Sequence, residues 1–370
     1  MARLPGMNSR DDRDALRHHG DVDALSGLLD FAVNVRLRRP PDWLHKRLVA
    51  ALERLGSYPS AEDDLAARRA AAERHGRAED EVLPLAGAAE GFALLPALRP
   101  RSAALIHPSF TEPELALRNA GIEVTRVALD PAEGYRLRPG AVPEEADLVV
   151  LGNPTNPTSV LHSAETIRSL ARPGRVLVVD EAFADAVPGE RESLAAERVP
   201  GLLVLRSLTK MWGLPGLRAG YALGSPELLE RLTRLRPHWP VGTLGLEALI
   251  GCCDSAALLE SERAAAEIAG HRDELITALD TVSGVEVLRP AAAPFLLLRV
   301  PEGERVRELL RERGIAVRRA DTFPGLDGRH LRVAVRKPED NAELVAALRG
   351  ILGSREATGS AVTTREATTE

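Results

Sequence analysis

The sequence predicts an α/β protein: a large domain on a mainly parallel, mixed β-sheet, followed by a smaller α+β C-terminal domain. Two observations predict it. Short, apolar, branched runs alternate with helix-patterned stretches through the first two thirds of the chain, as strands buried on both faces of a parallel sheet do. After Pro240 the pattern changes to a long helical stretch and then to short strand–helix units. With 370 residues, 44% hydrophobic and 28% charged, the chain has the makings of a sizeable core.

Taken in order, residues 1–35 lack clear periodicity and read as an N-terminal arm. The large domain spans 36–245. It opens with a helix over 42–55 ("DWLHKRLVAALERL") and a second over 65–76, closed by Gly76. Strands are predicted at 103–106, 122–127, 147–151, 175–179, 202–205 and 219–223, with helices at 112–120 and 163–171 between some of them. Residues 246–353 form the small domain, led by one long connecting helix over 244–281. Residues 354–370 are small and polar and read as a disordered tail.

Several function classes are disfavoured. The net charge is −6 and the arginines are scattered, without the basic stripe of a nucleic-acid surface. No apolar run approaches the ~18–20 residues of a membrane span. The N-terminus lacks the apolar core of a signal peptide, so a cytoplasmic location is expected. Cys252 and Cys253 are adjacent, which matches no metal-ligand spacing, and no metal is expected. No G-x-G-x-x-G follows any strand run, which speaks against a nucleotide-dependent oxidoreductase.

Chemistry is expected beyond the carboxyl ends of parallel strands. After "DLVVLG" comes the turn "NPTNPTS" (153–159), made rigid by two prolines. After "RVLVV" comes Asp180, and after "LLVLR" come Ser207 and Lys210. Taken singly, Asp180 reads as a helix cap, Lys210 as a solvated loop residue and the turn as a turn. Together they ask for more. Of 48 Lys and Arg residues only Lys46, Lys210 and Lys337 are lysine. Arginine stays protonated and cannot condense with a carbonyl, so carbonyl chemistry gives a reason for lysine at 210. Ser207 and Arg218 offer donors to an anion. Gly87, followed by the small residues Ala88 and Ala89 at a helix start, offers exposed backbone N–H groups. Phe110 provides a plate for a flat ring. A lysine for a carbonyl, a carboxylate for a ring nitrogen, donors for a phosphate and an aromatic plate describe a pyridoxal 5'-phosphate pocket.

The motifs "NPTNPT", "DEAF" and "SLTK…PGLRAGY", in this order, resemble the fold-type-I pyridoxal-phosphate enzymes of aminotransferase class I/II, over roughly residues 18–352. That resemblance implies the aspartate-aminotransferase-like fold. It implies that Lys210 holds the cofactor and moves the proton at the substrate's α-carbon, and that Asp180 pairs with the ring nitrogen. Asn156 would bond the ring's phenolic oxygen and Phe110 would stack on the ring. Ser207, Arg218 and the amides of Ala88 and Ala89 would hold the phosphate. Tyr58, in "GSYPS", matches a tyrosine that reaches the phosphate in the partner subunit, which implies a homodimer. Arg332, in "HLRVAVR", matches the arginine that receives a substrate carboxylate.

Within the family the chain is similar to the cobalamin-pathway L-threonine O-3-phosphate decarboxylases and to the histidinol-phosphate aminotransferases. Three features lean toward the decarboxylases: Phe183 where most aminotransferases carry tyrosine, the stretch 18–34 ("HHGDVDALSGLLDFAVN"), and "RRADTFPGLDGRHLRVAVR" (318–336). They make His19, Asn34 and Arg336 candidates for the substrate's polar groups, with Arg336 and His19 facing its second anion. Two departures are noted. Ser159 stands where the family turn has glycine, and Gly20-Asp21 stands for Gly-Gly. The expected substrate is a small phosphorylated amino acid or amine, with no nucleic-acid or membrane partner. Threonine-phosphate decarboxylation is the first expectation; transamination of histidinol phosphate with a 2-oxo acid acceptor is the alternative.

Overall fold

The computed structural model describes residues 14–24 and 26–362; the rest of the expected arm (1–13 and 25) and of the expected tail (363–370) lies outside the described residues. In chain order its strands are β1 (Leu29–Asp30), β2 (Val82–Leu85), β3 (Ser102–His107), β4 (Glu123–Ala128), β5 (Leu148–Gly152), β6 (Val176–Asp180), β7 (Leu202–Ser207), β8 (Gly220–Leu223), β9 (Glu286–Val287), β10 (Phe295–Arg299), β11 (Ile315–Ala316), β12 (Arg318–Arg319) and β13 (His330–Ala334).

Seven of them form one sheet in the order β2-β8-β7-β6-β5-β3-β4. The pairings from β4 across to β7 are parallel, and β8 runs against both of its neighbours. The sheet is therefore mixed and mainly parallel. All six predicted strands are present, with ends within two residues of the prediction. Their apolar runs are continuous because both faces are covered. Leu177, Val179, Leu202 and Val204 enter one buried cluster, while Val176, Val178, Leu203 and Leu205 enter another.

Two features differ from the prediction. Strand β2 was not anticipated, because its "VLPL" carries Pro84. A proline is compatible with a strand at the sheet edge, which is where β2 lies. The helix predicted over 244–281 is two helices, Thr243–Cys252 and Ser255–Leu279. Asp254 separates them in an extended conformation, and its carboxylate caps the second helix by accepting from the Ala256 N–H at 2.9 Å. The second predicted helix is confirmed as Ala61–His75, opened by a Ser60/Asp63 capping box and closed by Gly76 at φ 60°.

A second core lies around the sheet ordered β12-β13-β10-β9. Leu296, Leu298, Leu331, Val333 and Leu348 fill it, and so does Phe31 from the N-terminal arm. The arm is tied there by β1, which pairs in parallel with β11. The last helix, Pro338–Val362, continues into the stretch expected to be tail.

An ionic cluster underlies the ends of β6 and β7. Arg206, 1% exposed, donates from Nη1 to Glu181 Oε2 (3.0 Å) and Glu190 Oε2 (2.6 Å), and from Nη2 to Asp185. Glu181 also accepts from Ser193 Oγ (2.6 Å) and the Leu194 N–H (2.7 Å). Arg74 donates to Asp185 (2.9 Å) and Glu190 (2.6 Å). Strand alternation puts Asp180 and Ser207 on the opposite face of the sheet from Glu181 and Arg206. Arg206→Met leaves three carboxylates short of a counter-charge in the interior. We expect it to lower unfolding stability in urea by about 3–5 kcal/mol.

Candidate active site

Strands β5, β6 and β7 are neighbours, so the segments that leave their carboxyl ends open side by side. The turn after β5 is closed on itself. Thr155 N–H donates to Val160 O (2.8 Å) and Ser159 N–H to Thr155 O (2.8 Å), while Asn153 N–H reaches across to Asp180 O (2.8 Å). Ser159 sits at φ 65°, a conformation glycine adopts freely. Its hydroxyl has a use that glycine lacks. Ser159 Oγ accepts from the Ala292 and Ala293 N–H groups (3.1 and 2.8 Å) in the segment that leads into β10. The departure from the family turn thus adds a tether and leaves Asn156 in place.

Asp180 ends β6 and Lys210 follows β7. Both are desolvated, and each moves toward neutrality. Burial pushes the Asp180 carboxyl up to about 7, against the pull of the Ala182 N–H and of Lys210. Burial pushes the Lys210 amine down to about 8, and the cations Arg332 and Arg218 act in the same direction. A buried carboxyl and a buried amine shifted this far toward neutrality, side by side at neighbouring strand ends, make a candidate reactive site.

The anion end forms where β2 and β8 meet. Gly87, at φ 82°, precedes the helix Ala88–Leu94. A Cβ there would lie 2.8 Å from Arg218 Nη2, so glycine is what lets the guanidinium cover this turn. At Gly220 a Cβ would lie 3.0 Å from Ala88 N, which holds the helix start against β8. Ala88 and Ala89 form the first turn. Ser207 Oγ lies 2.8 Å from Thr209 Oγ1. The Phe110 ring is 6.0 Å from Phe92 and 5.5 Å from His19, whose Nε2 bonds Glu112 (2.6 Å).

Arg332, on β13, approaches from the other core. Its Nη1 donates to Asn156 Oδ1 (2.7 Å) and its Nη2 to Ala32 O (2.5 Å), while Nε has no partner. Burial, with Arg318 next, pushes its pKa down to about 9. Asn34 is buried with neither amide atom partnered, and it lines the same cavity as Lys210 and Phe183.

Asp180, Arg218 and Arg332 are therefore each close enough to Lys210 to act on its charge, with Asn156 bonded to Arg332 and Asn34 on the cavity that Lys210 borders. Three candidates stand differently. Arg336 is not available to a second substrate anion, because its guanidinium donates to the carbonyls of Asp30, Val33 and Val35. His19 is committed to Glu112 and Phe110. Tyr58 is 74% exposed and stacks on Trp239 at 4.4 Å, and it does not line the cavity that Lys210 borders. Sequence reasoning missed the Arg206 cluster and the Asn156–Arg332 bond. The only local signal for the first was a charge ending an apolar run; the second had none.

The model of the family described as "Aminotransferase class I and II" matches residues 26–348. A histidinol-phosphate aminotransferase of Mycobacterium tuberculosis is 56% identical over 322 residues, covering 87% of each chain. A threonine-phosphate decarboxylase of Salmonella typhimurium is 33% identical over 340 residues, covering 88% of this chain and 91% of that one. Among solved structures, the histidinol-phosphate aminotransferase of Clostridium acetobutylicum superposes with a TM-score of 0.80 at 25% identity, covering 88% of this chain and all of that one. The fold is of the aspartate-aminotransferase type. No described helix is long and apolar enough to cross a membrane.

The cofactor of this family is pyridoxal phosphate, and the residues present fit it. Buried polar atoms ordinarily have partners; here the Asn34 amide and Arg332 Nε have none, as a site shaped for a polar ligand requires. The Gly87 turn leaves room beside Arg218 that a side chain would close.

The Asp180 shift makes a prediction for the cofactor-free protein. A folded pKa raised from 3.8 to about 7 means stability is lost as pH rises through that window. Asp180→Asn keeps an acceptor for the Ala182 N–H and removes the charge. Thermal melts should show the variant equal to wild type near pH 3.5. Above pH 7 it should be more stable, by at most about 4 kcal/mol.

Proposed function

The chain belongs to the aminotransferase class I and II family, and from that premise we propose a pyridoxal-phosphate-dependent aminotransferase. Its substrate would be a small phosphorylated amine of the histidinol-phosphate kind, with a 2-oxo acid as amino acceptor. The observation that carries this is the far higher identity to the histidinol-phosphate aminotransferase than to the threonine-phosphate decarboxylase. It reverses the order reached from sequence motifs alone. Threonine-phosphate decarboxylation stays as the second reading for one reason: Phe183, at the cavity beside Lys210, has no hydroxyl to offer a ring oxygen.

In this reading Lys210 holds the cofactor. A pKa near 8 leaves part of the amine neutral at physiological pH, so Lys210 can act as a nucleophile and then carry a proton at the substrate's α-carbon. Asp180 would pair with the ring nitrogen, whose positive charge would favour the ionised carboxylate over the neutral acid that burial alone favours. Arg332 occupies Asn156 Oδ1, which leaves the Asn156 NH₂ group as a donor for the ring's phenolic oxygen. Ser207, Arg218 and the N–H groups of Ala88 and Ala89 would hold the phosphate, and Phe110 would pack against the ring. Arg332 would meet an anionic substrate group, and Asn34, on the Lys210 cavity, would offer its amide to the substrate. The bound pyridoxal phosphate supplies the carbonyl and the electron-accepting ring.

A homodimer is part of the proposal. Val49, Leu52, Leu55, Tyr58 and Trp239 are large, apolar and exposed, and several follow one another along one stretch of chain. Exposed apolar residues gathered along 49–58, with Tyr58 stacked on Trp239, are what a partner subunit would cover. Tyr58 would then reach the phosphate of the partner subunit.

The purified protein should be yellow, and borohydride should attach the cofactor to Lys210. With histidinol phosphate and 2-oxoglutarate, glutamate should form. If carbon dioxide is released from threonine phosphate and no glutamate appears, the second reading replaces the first. Lys210→Arg keeps the charge and should reduce turnover to background; substantial residual activity would contradict the role of the amine. Sedimentation should give a dimer mass, and Tyr58→Ala should weaken pyridoxal-phosphate binding.

A further inference from the structure

Arg332 and Arg336 stand four residues apart in and just after β13, so in an extended chain both leave the same face. The structure gives them different work. All three nitrogens of Arg336 donate to carbonyls of one loop: Nε to Asp30 (2.7 Å), Nη2 to Val33 (2.6 Å) and Nη1 to Val35 (2.7 Å). The same loop gives the Phe31 carbonyl to the Ala334 N–H (2.9 Å) and the Ala32 carbonyl to Arg332. Asp30 Oδ1 ties it internally, accepting from the N–H groups of Ala32 (2.7 Å) and Val33 (3.0 Å). At its far end the Arg36 N–H donates to Lys210 O (3.0 Å). Asn341 holds Arg336 in turn, bonding its N–H (3.0 Å) and its carbonyl (2.8 Å).

Within this heavily bonded loop stands Asn34. It is 7% exposed, both its amide atoms lack a partner, and it borders the cavity that Lys210 borders. A buried amide loses free energy when its water is stripped away without replacement, and flexible chain would turn it out to solvent. Here the loop is too firmly tied to turn.

We propose that Arg336 is a positioning residue and not a substrate ligand. It fixes the Asp30–Arg36 loop across Lys210 so that the Asn34 amide meets a substrate group that both donates and accepts a hydrogen bond. This rests on the reading of Lys210 as the substrate site. The amide presents a donor group and an acceptor in one plane, on the cavity that Lys210 borders. Arginine is needed at 336 because lysine, a single point donor, cannot reach three carbonyls in a fan.

The test uses the cofactor-loaded protein and three variants: Arg336→Lys, Asn34→Ala and the double. Each single change should raise KM for histidinol phosphate about tenfold, with a smaller effect on kcat. The double should match the worse single, because one residue acts through the other. Hydrogen exchange at the Val33 and Arg36 amides should quicken in Arg336→Lys and stay slow in Asn34→Ala. Additive effects, or Arg336→Lys alone erasing the preference for phosphorylated over dephosphorylated substrate, would mean that Arg336 binds the anion directly. That outcome overturns the proposal, as does unchanged exchange in Arg336→Lys. If Arg336→Lys does not fold, Asn341→Ala takes its place, and should show the same KM rise and loop exchange in milder form. If wild type turns over neither histidinol phosphate nor threonine phosphate, the functional reading fails by itself. Unchanged exchange alone would still reject the positioning role.

Discussion

Glu181 and Arg206 face each other across the ends of β6 and β7, each shielded from water, and the candidate site lies on the other side of these strand ends. Because side chains alternate along a strand, each of these ionic residues is followed or preceded by a site residue: Asp180 beside Glu181, Ser207 beside Arg206. The pair is reinforced by Asp185, Glu190, Ser193 and Arg74, so no strand end can slide without separating buried charges. A buried ion cluster contributes less to net stability than its number of bonds suggests. Its value here is registration, since it holds the Asp180 carboxyl and the Ser207 hydroxyl at fixed height on adjacent strands.

Desolvation is the second organising influence. Away from water, Asp180 and Lys210 shift toward each other, one to about 7 and the other to about 8. The same low-dielectric surroundings make Arg332 and Arg218 felt at Lys210 and hold its amine pKa down. A polar ligand that brings its own charges completes this arrangement, which is why the orphaned Asn34 amide and Arg332 Nε matter. Asn34 offers a donor and an acceptor, and Arg332 a donor, that no protein group takes up.

The two cores meet at this surface through few, directional bonds. Arg332 to Asn156 joins β13 to the turn after β5, and Ser159 to Ala292 and Ala293 joins the same turn to the entry of β10. The turn that carries Asn156 is thus gripped from two points of the second core. Serine at 159 gives up glycine's conformational ease for a hydroxyl that closes one of these grips.

Much of this was legible in the chain itself. Continuous apolar runs and period-3.6 stretches gave six strands of the large sheet and most helices, but not the order of the strands in the sheet. The choice of lysine at 210, among so many arginines, pointed to amine chemistry. Such features are local: a residue type, a spacing, a cap. The tertiary structure decided where two similar arginines go, Arg332 into the site and Arg336 onto a loop, and that the N-terminal arm belongs to the second core. It also decided that Ser159 is a tether and that the long helix breaks at Asp254. Hydrogen bonds between residues 300 positions apart leave no periodic trace, because their geometry exists only once both strands have been placed.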